Sequence, residues 1–196
     1  LERDVLPTFE SLKLKLDPSR PDYNGSVHFD LHVAKATESF SLYAKDMDVI
    51  SARLSNAAGE LKIEAGPGPS DQLVVRSGLP IPVGDYSLDI FFENNFDQRA
   101  NGLYRLKSGT DWYCFTQFEA VSAREAFPCW DEPEFKIPFQ LTVTVPAKST
   151  AISNVPIQKE STAGDMRTVI FERTPPLPSY LVAIATGPFD SRPIKG

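Results

Sequence analysis

Ser26-Val27-His28-Phe29-Asp30-Leu31-His32-Val33 alternates polar and apolar side chains without a break. Successive side chains of a β-strand point to opposite faces. Val27, Phe29, Leu31 and Val33 therefore line one face, and His28, Asp30 and His32 the other. A helix would scatter the same apolar groups around its circumference. The stretch reads as a half-buried antiparallel strand. On both sides of it the same period returns, at residues 39–44, 61–65, 73–76, 86–93, 102–106, 112–118, 137–145, 168–172 and 180–185. Turn residues separate the runs: Asp17-Pro18, Asn24-Gly25, Gly66-Pro67-Gly68-Pro69, Gly78, Gly84-Asp85 and Asn101-Gly102. No long window carries a helical period with caps. The best helical candidate is one or two turns over residues 120–127, closed by Pro128. Short strands at a spacing of about 8–12 residues define an all-β chain, a sandwich or curved sheet assembly of mostly antiparallel strands.

Composition narrows the function classes. A chain of 196 residues buries about 70% of its unfolded surface, enough for a core without staples. Seventeen prolines and eleven glycines suit strands and turns better than helices. The net charge of −6 disfavours duplex DNA and anionic membranes, both of which attract a basic face. No run approaches the ~20 apolar residues of a membrane-spanning helix. No internal repeat or linker divides the chain, so residues 1–190 read as one domain. The polar, proline-containing residues 191–196 read as an exit towards a following segment. Leu1-Glu2-Arg3-Asp4 has neither an initiating Met nor an apolar signal core. The chain thus looks like a piece of a longer protein, and cytoplasmic, periplasmic and secreted compartments all stay open.

The residues that could carry chemistry are few. His28, Asp30 and His32 share a strand face, but a spacing of about 7 Å per two residues is long for ligands of one ion. They read as an exposed polar face. Cys114 and Cys129 could pair with each other, but two cysteines do not make a disulfide framework in a chain this size, and they read first as free buried thiols. No Gly-x-Ser-x-Gly elbow is present, and Gly66-Pro67-Gly68-Pro69 lacks the Lys-Ser/Thr of a phosphate cradle.

One segment goes further. Gly102-Leu103-Tyr104-Arg105 precedes Thr116-Gln117-Phe118-Glu119-Ala120. After these come Ala123-Arg124-Glu125-Ala126-Phe127-Pro128-Cys129-Trp130-Asp131-Glu132-Pro133 and Lys136-Ile137-Pro138-Phe139. This order resembles the N-terminal domain of the zinc aminopeptidases related to aminopeptidase N, a group of gluzincin metallopeptidases. The flanks agree: Leu6-Pro7, Asn24-Gly25-Ser26-Val27, Ile152-Ser153-Asn154-Val155-Pro156, and the run from Thr174-Pro175-Pro176 to Tyr180-Leu181-Val182-Ala183. Two places depart from the family. Glu125 stands where a second basic residue is usual, and the opening Pro-x-x-Tyr stretch here reads Phe9-Glu10-Ser11 after Pro7-Thr8.

The resemblance implies a curved, saddle-like β-sandwich that closes over a separate C-terminal catalytic domain. That domain supplies the His-Glu-x-x-His zinc site, which this chain lacks, so zinc belongs to the parent and the chain alone is expected to be inactive. Glu119 is implied to grip the free α-ammonium of a peptide substrate, with Gln117 shaping the pocket for the first side chain. Gln-x-Glu here favours a plain aminopeptidase over the epoxide-hydrolase branch, which looks like Gln-x-Gln. Tyr104 and Phe118 read as scaffold. Arg124, with the Asp131-Glu132-Pro133 turn, is read as structural, its planar fork pairing with a carboxylate to fix the loop that carries Glu119. Two other readings remain: a non-catalytic scaffold derived from the same family, and an independent binding module. The latter would need an exposed aromatic platform, whereas Trp112 and Trp130 fall within the family motifs.

Overall fold

The computed structural model describes residues 1–190. At its centre is the alternating strand around Phe29. This strand, β2 (Asp22–Val33), runs antiparallel to β1 (Val5–Lys15) on one side and to β8 (Gly84–Asn95) on the other. The β2–β8 ladder keeps one register from Asp22 opposite Asn95 to Val33 opposite Gly84. Every inward residue of one strand therefore meets an inward residue of the other. β4 (Asp48–Asn56) and the short β5 (Gly59–Leu61) extend the sheet beyond β8. Beyond β1 come β11 (Phe139–Pro146), β14 (Met166–Arg173) and β13 (Ile157–Ala163), completing eight strands. Among the described residues the one parallel ladder is β1–β11; the others are antiparallel.

Two smaller sheets cover the apolar face. β3 (Thr37–Tyr43), β7 (Gln72–Ile81) and β6 (Ile63–Pro67) form one. β12 (Thr150–Ser153), β15 (Ile184–Gly187), β10 (Asp111–Gln117) and β9 (Gly102–Ser108) form the other. Leu12, Leu14, Phe29, Ile90, Phe92 and Val143 of the large sheet share one buried cluster with Leu42 and Val75 of the first small sheet and Cys114 of the second. Each fully buried large apolar side chain contributes about 1.5–3 kcal/mol. The outward face of the large sheet is mostly polar, with Phe91, 38% exposed, an exception. The all-β sandwich expected from the sequence is the fold.

Several local expectations are corrected. Asn24-Gly25 lies inside β2 rather than in a turn. A Cβ on Gly25 would stand 2.7 Å from both Leu14 and Phe92, so close packing between strands explains the glycine. Residues 120–127 contain only a single 3₁₀ turn, Ala123–Glu125. The run 180–185 is not one strand: Ser179–Leu181 is a 3₁₀ turn, and β15 begins at Ile184. Strands β1, β4, β12 and β13 fall outside the alternating runs and are added by the structure. The exit segment expected at 191–196 lies outside the described residues.

Candidate functional site

The β9–β10 hairpin turns at Gly109, whose φ of 59° is the left-handed conformation glycine favours. Its ladder runs from Asp111 opposite Ser108 to Gln117 opposite Gly102. Alternation along β10 sends Cys114 into the core, and Phe118 just beyond the strand's end is buried as well. Tyr113, Phe115, Gln117 and Glu119 take the opposite side. Gln117 and Glu119 are both exposed, and the backbone N–H of Glu119 donates to Oε1 of Gln117 at 3.3 Å. The two side chains named by the resemblance are thus neighbours at the open end of one strand. Among the described residues no cation lies within ion-pair distance of Glu119.

The chain leaving Glu119 is held from both sides. The Glu119–Ala120 peptide bond is cis. Ser122 N–H donates to the Phe118 carbonyl at 2.9 Å, and the Phe118 ring meets Phe127 edge-on at 5.8 Å. Arg124 then ties the loop down. Its Nε lies 2.8 Å from Oδ2 of Asp131, its Nη2 donates to the Asp131 carbonyl at 2.9 Å, and its guanidinium covers the Tyr43 ring at 3.6 Å. Asp131 is 2% exposed, and its second oxygen accepts from the Ser179 hydroxyl at 2.5 Å. The carboxylate expected to pair with Arg124 is Asp131. Glu132 accepts from the Tyr43 hydroxyl at 3.0 Å. That bond and burial hold the Tyr43 phenol above its ordinary range, burial being the larger cause. Glu125, the odd residue of the motif, bonds Lys45 at 3.0 Å and Asn101, and the Glu125 bond raises the Lys45 ammonium above its usual range.

Tyr104 is placed differently from Phe118. It stands opposite Phe115 with rings 5.9 Å apart, half-buried on the outward face of the four-stranded sheet. Tyr113 and Phe189 continue this ring face, at 6.5 Å and 5.9 Å from Phe115. Ile152, 50% exposed, lies on the same face through its register with Ala185 and Phe115. Gly187 makes room for the rings: a Cβ there would stand 2.2 Å from the Tyr113 ring. The structure therefore brings Gln117 and Glu119 together and joins Arg124, Asp131 and Glu132 through Tyr43. Sequence reasoning missed Tyr43, Ser179 and the ring face. The odd-numbered order Tyr113, Phe115, Gln117, Glu119 signalled the last of these; nothing local signalled the first two.

The other candidates fall away from the site. On the outward face of the large sheet His28 Nδ1 lies 2.7 Å from Asp89 and its Nε2 3.3 Å from Asp30, while His32 Nδ1 lies 2.7 Å from Asp85. Among the described residues no group of three His, Cys, Asp or Glu side chains is arranged to hold a metal ion. Cys114 and Cys129 are separate, buried thiols. Burial pushes Cys114 up to about 12, with Thr186 3.1 Å from its sulfur.

Three sheets around one core, with an aromatic outer face that ends in a polar pair, make this chain an all-β sandwich. Residues 6–181 match the family described as the Peptidase M1 N-terminal domain, and the chain belongs to that family. It is 35% identical over 195 residues to Aminopeptidase M1-D of Oryza sativa subsp. japonica, covering 97% of this chain and 22% of that protein. It is 30% identical to a Puromycin-sensitive aminopeptidase of Caenorhabditis elegans, covering 92% of this chain and 20% of that one. With Aminopeptidase N of Acetobacter pasteurianus the identity is 28%, over the whole chain and 56% of the relative. The chain spans 22% of the length of the rice relative, so it corresponds to one part of a larger protein there.

Proposed function

We propose that this chain is the amine-anchoring domain of a zinc-dependent aminopeptidase. The observation that carries the reading is the pair at the end of β10: an exposed carboxylate, Glu119, free of any cation among the described residues, whose backbone N–H donates to the neighbouring Gln117 side chain. A peptide's α-amino group has a pKa near ~8 and is mostly cationic at neutral pH. Glu119 would bind it through charge-assisted hydrogen bonds, which strengthen when the site closes and water leaves. Holding the ammonium at a fixed distance from the reacting carbonyl selects the first peptide bond. Gln117, on the same side, would border the pocket for the first side chain. Arg124 and Asp131 would act as positioning residues, because they fix the loop that leaves Glu119.

The ring face of Tyr104, Tyr113 and Phe115 suits contact with the remainder of the parent protein, its C-terminal catalytic domain. Half-buried rings with water on one side are the kind of surface a second domain covers. The described residues offer no ligand set for zinc. In the parent the ion would polarise the scissile carbonyl and activate water. By itself this chain would bind the amine end of a peptide and hydrolyse nothing.

The test is Glu119→Ala in the intact protein. Loss of such a partner costs about 2–5 kcal/mol, so kcat/KM on amino-acid amides should fall about 30- to 5,000-fold. An unchanged kcat/KM would remove the anchoring role.

A further inference from the structure

Glu10 is the least expected residue of the core. Along β1 it takes an inward position in line with Leu12 and Leu14, opposite Phe29 of β2 and Phe139 of β11. It is completely buried, and neither carboxyl oxygen has a hydrogen-bond partner. Trp130, 2% exposed, packs edge-on against the same Phe29 at 4.9 Å, and its indole N–H is also without a partner. Among the described residues these are the only buried side-chain polar atoms left unsatisfied.

The groups that act on Glu10 give an ionised form no support. Asp131 lies close enough to oppose a second negative charge. Cys129 beside it is a buried thiol. Arg124, the cation that acts on Cys129, is committed to Asp131 at 2.8 Å. From β2 and β11 the register neighbours are phenylalanines. A carboxylate with no donor and an apolar surround keeps its proton rather than its charge. Burial first, and Asp131 second, hold the Glu10 carboxyl well above the usual carboxylate range.

We propose that Glu10 is a proton-operated stability switch: neutral, it closes the seam between β1 and the Cys129–Asp131 segment, and its ionisation loosens that seam. The folded chain keeps a proton that the unfolded chain releases above about pH 4.3. Stability from this group is therefore complete below that pH and is lost as pH rises towards the value at which folded Glu10 ionises. One proton of difference raises the unfolding equilibrium constant about tenfold per pH unit across that window.

Urea unfolding of this chain and of Glu10→Gln, from about pH 5 to pH 8, isolates the effect, because all other titrating groups are common to both. The wild-type unfolding constant divided by that of the variant should climb with pH, by up to about tenfold per unit. A ratio that stays flat overturns the proposal. NMR of wild-type protein carrying carboxyl-labelled glutamate needs no variant to fold. One glutamate should keep its proton to well above the range in which ordinary glutamates ionise. If every glutamate ionises in the ordinary range, the switch does not exist.

Discussion

The outward faces of the two larger sheets are built alike and finished differently. Both are mostly antiparallel surfaces with the shared core behind them. On the eight-stranded sheet the outward positions include Lys13, Ser26, His28, Asp89, Thr144 and Thr168, and several of them satisfy one another across strands. His28 meets Asp89 at 2.7 Å, and Thr144 meets Thr168 at 3.0 Å. Phe91, 38% exposed, is an apolar exception on this face. On the four-stranded sheet the equivalent positions hold Tyr104, Tyr113 and Phe115, with Phe189 and Ile152 beside them. These rings gain little from water. At the end of that row, where β10 stops, the side chains change abruptly to Gln117 and Glu119. One face is mostly polar; the other carries a row of rings with a polar pair at its rim.

Substitutions on and behind the two faces put this contrast to the test. Arg124→Ala should have the largest effect on folding, because Asp131 would stay buried without its cation. Their side chains are 12% and 1% exposed, the regime in which removing one partner costs about 3–5 kcal/mol. A urea titration reads that loss, and a change under about 1 kcal/mol would show the loop to be held by something else. Phe115→Ser comes next. In this chain alone it should cost about 1–2 kcal/mol, since the ring is only partly buried, whereas in the intact protein it should cost about 2–3 kcal/mol. Equal costs would mean that nothing covers the ring face. His28→Ala should be smallest, within about 1 kcal/mol in either context, as exposed pairs are worth little. Thermal melts of the variant in both contexts would detect a larger loss, and such a loss would make the polar face more than a solvated one.

How much of this is legible in the sequence depends on whether a strand separates two environments. β2 and β8 have core on one side and water on the other, so their letters alternate and their strand character is plain. β13 has seven exposed residues and nothing to alternate against. β1 carries Glu10 at an inward position, a charged letter where the pattern asks for an apolar one, and a bulge between Pro7 and Phe9 breaks the phase. Asn24-Gly25 spells a turn, yet the contact with Leu14 and Phe92 that demands glycine comes from strands far away in sequence. Glu119 is visible through its motif and not through any pattern of its own. An exposed glutamate after a strand is ordinary until its neighbours are known. Tyr43 and Ser179 reach Arg124 and Asp131 only through tertiary packing, which no local spacing encodes.

Recognition of an α-ammonium by Glu119 can be isolated with a matched pair of ligands. The intact protein and its Glu119→Gln variant are each titrated with an amino-acid amide and with its des-amino counterpart as competing inhibitors. The variant should lose about 30- to 5,000-fold in affinity for the amine and keep its affinity for the des-amino compound. An equal loss for both, or no loss for either, would contradict the assignment of Glu119.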